Sequence, residues 1–155
     1  MLELQEDLIA YLESYFKDID FFSGIKIVES NLYNNLLNQE QITIKIANEF
    51  EETRYTTLDN AEINNVAVQL NCYGTQKTYS GKKRSAYYMS EVIADLVSKA
   101  FDKTLLSSNN ENIKGLRKVM TTEPLPLKEG SQVYVTVLRF QLYVEYDYKK
   151  IYKGE

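Results

Sequence analysis

With 155 residues, 44% hydrophobic and 26% charged, the chain is too apolar for wholesale disorder, and as one domain (1–155) it can bury about two-thirds of its unfolded surface. The single cysteine, Cys72, excludes an intrachain disulfide and suits a reducing compartment, and its apolar neighbours make it a core thiol. The absence of histidine removes the commonest general acid/base near neutral pH, and the net charge of −4 argues against nucleic-acid binding as a main role.

That net charge hides an asymmetry. Residues 1–60 hold 12 acidic and 4 basic residues (net −8), whereas residues 61–155 hold 10 acidic and 14 basic (net +4). If the halves form opposite surfaces, neighbouring copies meet head to tail with complementary fields; the alternative is a solvated surface with chance clustering. The acidic start Met1–Asp7 lacks a basic, apolar leader, and no run approaches about 18 apolar residues, so a soluble protein made in the cytoplasm is expected.

Leu4, Leu8, Leu12 and Tyr15, widened by Ile9 and Phe16, predict an amphipathic helix over residues 3–17. After a turn-rich stretch, Ile25–Val28 reads as a short strand, and Asn31, Asn34, Asn35 and Asn38 mark a loop. Ile42, Ile44 and Ile46 alternate with Thr43 and Lys45 as a one-sided strand, and Arg54–Thr57 either continues it or begins a hairpin return. Val66, Val68, Leu70 and Cys72 then alternate against Gln69, Asn71 and Tyr73 in a third strand.

Gly74–Ser85 reads as a polar loop. Ala86, Met89, Ile93, Leu96, Val97, Ala100 and Phe101 fall on one stripe of a long helix, with Ser85 as N-cap and a loop at Ser107–Asn112. Ile113–Thr122 predicts a strand with little alternation, and Pro124, Pro126 and Gly130 turn the chain toward the last strand. That strand, Gln132–Tyr148, contains no Gly or Pro. Tyr134, Thr136, Leu138, Phe140, Leu142, Val144, Tyr146 and Tyr148 line one face; the other begins with Val133, Val135 and Val137 and turns polar at Arg139, Gln141 and Glu145, with Tyr143 among them.

At roughly 15 residues the final strand far exceeds the usual 5 to 6, and an open edge on it invites aggregation. Either its far half is paired within the fold or it pairs with another subunit, which points toward a chain made to assemble. Residues 149–155 are expected to fray. The order of elements predicts an α+β fold: a mostly antiparallel sheet with the N-terminal helix and the long second helix packed on one face.

Chemistry-bearing signals are few. No phosphate loop, nucleophile motif or zinc spacing occurs, so no catalytic, cofactor or metal residues are expected. Glu49 and Glu51 share a strand face opposite Glu52, which suits a solvated or intersubunit acidic edge better than a hard-cation site. Lys82, Lys83 and Arg84, flanked by Tyr79, Tyr87 and Tyr88, form the most concentrated feature. It reads as a contact for an acidic protein surface, as a merely solvated loop, or as a nucleic-acid contact.

The opening helix Leu4–Lys17, the strand Asn65-Val-Ala-Val-Gln-Leu-Asn-Cys-Tyr73, the polar loop, the helix beginning Ala86-Tyr-Tyr-Met-Ser-Glu-Val-Ile-Ala-Asp-Leu-Val97 and the long closing strand together resemble the tail terminator, or tail completion, proteins of long-tailed bacteriophages and phage-like tail particles. The resemblance covers nearly the whole chain and rests on pattern and element order. It implies a virion protein without enzymatic activity, assembled in the bacterial host cytoplasm. Copies would form a hexameric ring on the head-proximal end of the tail tube, stop its growth and present a surface to a neck or head-completion protein. Genomic DNA would pass through the lumen without sequence-specific binding, and no membrane partner is implied.

The resemblance transfers no site residues. Charge and exposure nominate Glu49, Glu51, Glu52, Arg54, Tyr79, Lys82, Lys83, Arg84, Arg139, Tyr143 and Glu145 as ring or tube contacts. Another neck or connector protein, such as a stopper or head-closure component, fits the same features. So does an α+β ligand-binding adaptor that uses the Tyr-rich strand as a platform.

Overall fold

The computed structural model describes residues 2–29, 41–48, 54–56 and 62–146. Helix α1 (Leu2–Phe16) and a 3-10 turn (Asp20–Phe22) lead into strands β1 (Lys26–Glu29), β2 (Gln41–Asn48), β3 (Arg54–Thr56) and β4 (Glu62–Gly74). Strands β5 (Lys77–Tyr79) and β6 (Lys82–Arg84) precede helices α2 (Ala86–Ala100) and α3 (Lys103–Asn109), and β7 (Ile113–Thr121), β8 (Leu125–Pro126) and β9 (Tyr134–Tyr146) complete the order. The fold is α+β: the described residues form a mixed sheet of mostly antiparallel strands with three α-helices. The expected loop at 31–38 and the fraying tail lie outside the described residues.

The sheet runs β1-β2-β4-β9-β7, with β3 extending the β2 side of β4 and β8 extending the β7 side of β9. Among the described strands only β1 and β2 pair in parallel. Arg54 opposite Asn64 follows Asn48 opposite Val66, so β3 continues the line of β2 and then returns into β4 as a hairpin arm. Strand β9 pairs with β4 from Tyr134↔Gly74 to Tyr146↔Glu62, and its other edge is covered by β7 and β8. The long strand is thus paired inside the chain. Its length therefore calls for no neighbouring subunit.

The helices pack on one face. Ile42, Ile44, Val66, Val68, Leu70, Cys72, Leu138, Phe140, Leu142 and Val144 are all buried there against Leu8, Leu12, Met89, Ile93 and Val97. Each large side chain so buried contributes about 1.5–3 kcal/mol. On α1 the stripe steps by four through Leu4, Leu8, Leu12 and Phe16; Tyr15, assigned to it from the sequence, is exposed, and Tyr11 is buried instead, its hydroxyl donating to Ala100 O at 2.5 Å. Helix α2 begins as expected, with Ser85 Oγ accepting from Tyr88 N at 3.1 Å.

Close approach of α2 to the sheet depends on small residues. A Cβ at Gly74 would lie 2.3 Å from Ser90 N and 2.6 Å from Ala86 O, both backbone atoms. Beside it, Thr136 Oγ1 donates to Ser90 Oγ, which donates to Tyr87 O, so these buried hydroxyls are satisfied.

Three departures from the sequence reading have local causes. The expected loop at Ser107–Asn112 is in part α3, nucleated by Asp102, whose carboxylate accepts from Thr104 N and Leu105 N, and anchored by buried Leu106. Strand β7 lacks alternation because register shifts fall between Ile113 and Gly115 and between Lys118 and Met120, and each extra residue reverses the faces. Gly74–Ser85, expected to be a loop, contains the β5–β6 hairpin.

Candidate functional site

The hairpin is built by a two-residue turn. Ser80 and Gly81 have φ of 53° and 73°, the left-handed pair that a type I′ turn requires and that matches strand twist. Its register, Lys77↔Arg84, Thr78↔Lys83 and Tyr79↔Lys82, puts Lys77, Tyr79, Lys82 and Arg84 on one face. Three of these are tied to the body of the protein. Tyr79 meets Phe21 edge-on at 5.1 Å, the Arg84 guanidinium lies 4.9 Å from the Tyr88 ring centroid, and Lys77 Nζ reaches Ser23 O at 3.4 Å. Tyr79, nominated as a contact residue, is therefore half-buried and serves as an anchor.

Lys82 and Lys83 remain exposed at the tip. Among the described residues the ion pairs are Lys99–Asp95 and Lys114–Glu145, so neither tip lysine has a carboxylate partner. Both precede the positive end of α2, whose first turn contains no acidic residue. Lys83 also borders a cleft of about 520 Å³ with Lys77, Thr78 and Gln132. Lys82, Lys83 and the helix N-terminus thus place positive charge at this end of the hairpin.

The other nominated residues lie elsewhere. Arg54 begins β3, and Glu49, Glu51 and Glu52 fall outside the described residues. Glu145 faces Ile63, eleven residues along β4 from Gly74, about 36 Å at about 3.3 Å per residue. It is engaged by Lys114 at 3.4 Å. Tyr143 lies over Gly115, where a Cβ would come within 2.9 Å of its ring. Arg139 donates to Gln69 Oε1 at 2.7 Å, and Gln69 Nε2 donates onward to Asn71 Oδ1 at 3.1 Å. The nominated residues thus divide between a basic hairpin and a polar sheet face, and do not converge on one centre.

Sequence reasoning missed a groove of about 390 Å³ between α2 and the β7–β8 junction. Tyr87, Glu91, Asp95 and Ser98 supply its helix wall, and Lys118 and Glu123 stand opposite. Spacing along α2 was enough to put Glu91 and Asp95 on one face. Nothing local revealed that Glu123 joins them.

Burial pushes the Cys72 thiol well above its ordinary range, in keeping with an unreactive core position. Among the described residues no group of three or more His, Cys, Asp or Glu side chains is placed to hold a metal ion, and no helix is long and apolar enough to cross a membrane. No protein-family model matches the chain, and no curated protein matches it significantly.

Proposed function

We propose that this chain is a structural assembly protein of the tail terminator type: copies form a ring that caps the head-proximal end of a phage tail tube, stops its polymerisation and offers a surface for head or neck joining. One observation carries the reading. A hairpin whose Lys82 and Lys83 have no ion-pair partner among the described residues projects beside the positive end of α2, on an α+β fold. Such a hairpin suits docking against an acidic protein surface better than catalysis, because its aromatic and guanidinium groups fix its position while its ammonium groups face solvent.

Charge is also unevenly spread over the described residues. Helix α1 exposes Glu6, Asp7 and Glu13, whereas the edge strand β7 exposes Lys114, Arg117 and Lys118. Surfaces of opposite charge on one chain favour heterologous contacts, which close into rings when the rotation permits.

The test is negative-stain imaging of tail tubes polymerised with and without the protein, using the tube protein of the same particle. Uniformly ended, shortened tubes bearing a ring at one end are expected. Unchanged tubes without bound protein would overturn the reading and favour a connector or ligand-binding role.

A further inference from the structure

We infer that the β5–β6 hairpin of one copy seats in the groove between α2 and the β7–β8 junction of the next copy. The inference rests on the assembly reading in taking a second copy as the occupant. Charge complementarity on the two surfaces selects that occupant.

The groove carries three carboxylates, Glu91, Asp95 and Glu123, against one lining cation, Lys118. Lys118 already donates to Ser98 Oγ at 3.0 Å. Glu91 and Glu123 have no ion-pair partner among the described residues, and Asp95 is held only by exposed Lys99. An exposed pair of this kind exchanges partners at little cost. The hairpin supplies the converse, Lys82 and Lys83 at a tip narrowed to Ser80–Gly81, with no carboxylate paired to them among the described residues. Tyr87, exposed at the groove and edge-on to Tyr134, adds an aromatic wall that suits lysine methylenes.

Position makes the contact directional. The hairpin leans toward the 3-10 turn through Tyr79–Phe21 and Lys77–Ser23, whereas the groove opens between α2 and β7. Donor and acceptor surfaces thus lie on different flanks of α2. A copy that gives its hairpin to one neighbour keeps its groove for another, which is the head-to-tail geometry of rings and filaments.

Two charge-reversed chains test this: Lys82→Glu with Lys83→Glu, and Glu91→Lys with Glu123→Lys. All four sites are exposed, so folding should be preserved and is checked by circular dichroism. In sedimentation velocity each variant alone should associate about tenfold more weakly than wild type. An equimolar mixture should recover association, because each reversed surface then meets its complement. Cross-linking provides a second arm. Lys83→Cys in one chain and Glu123→Cys in another should form an intermolecular disulfide under mild oxidation, with Cys72 silent because it is buried.

Monomeric wild type at every loading concentration, variants that associate like wild type, or a mixture that fails to recover would each overturn the contact. Failure of the two proposals is distinguishable. Variants that associate like wild type, in a protein that still caps tubes, overturn the contact alone, whereas association that the variants lose and the mixture recovers, without any effect of the wild type on tubes, overturns the terminator reading alone.

Discussion

Strands β4 and β9 share one thirteen-residue ladder but present two unlike faces. Toward the helices the opposed pairs are Val66–Leu142, Val68–Phe140, Leu70–Leu138 and Cys72–Thr136, all buried. Away from them stand Ala67–Gln141, Gln69–Arg139 and Asn71–Val137, none fully buried, with side-chain hydrogen bonds running from Arg139 through Gln69 to Asn71. The backbone is common to both, so the difference isolates what side chains contribute. The first face holds the fold together by excluding water; the second leaves polar groups accessible, and truncation there should cost little stability.

The sharpest way to break this comparison is at Phe140, which is 1% exposed and stacked on Phe101 at 4.7 Å. Phe140→Ala should cost about 3–5 kcal/mol through lost transfer energy and a residual cavity. In urea denaturation the midpoint should fall with an unchanged slope. A loss under about 1 kcal/mol would mean that the helix-covered face is not the main source of stability.

A smaller effect is expected where α1 meets α2. The Tyr11 hydroxyl is pushed up from 10.0 to about 12, first by burial and then by Tyr15 and Asp102. The native state therefore holds this proton more tightly than the unfolded chain. The associated stabilisation is fully present below about pH 10 and is lost as pH rises toward about 12. Tyr11→Phe removes the bond to Ala100 O, so about 1 kcal/mol should be lost near neutral pH. Between about pH 8 and about pH 11 the variant should lose stability less steeply than wild type, read by urea denaturation. Parallel pH profiles would show that this hydroxyl is not desolvated in the native state.

Legibility in the sequence followed element length. Alternation over Val66, Val68, Leu70 and Cys72, the stripe of α2 with its Ser85 cap, and the two faces of β9 each span enough residues to display a period. Strands β5 and β6 have three residues apiece, too few for any period, and only Ser80-Gly81 advertised the turn. On α1, Tyr11 and Tyr15 are chemically identical and four residues apart; which one turns inward is decided by Ala100 at the end of α2. The candidate contacts were legible as residue types but not as a site. Lys82 and Lys83 could be named in advance, whereas their proposed acidic counterpart depends on β7 and β8 bringing Glu123 opposite Glu91.

The smallest effect belongs to the polar face and completes the comparison. Arg139 is exposed, and its hydrogen bond to Gln69 replaces water rather than filling a void. Arg139→Ala leaves the Gln69 amide able to hydrogen-bond solvent, so the expected change is within about 0.5 kcal/mol. The same denaturation experiment used for Phe140→Ala checks it. A loss above about 1 kcal/mol would make the Arg139–Gln69–Asn71 chain a structural network in its own right, since hydrogen-bonded side chains coupled in series lose more than one pair when a member is removed. A value near zero leaves this face available for selection by contact rather than by folding, because its side chains can change without disturbing the ladder beneath them.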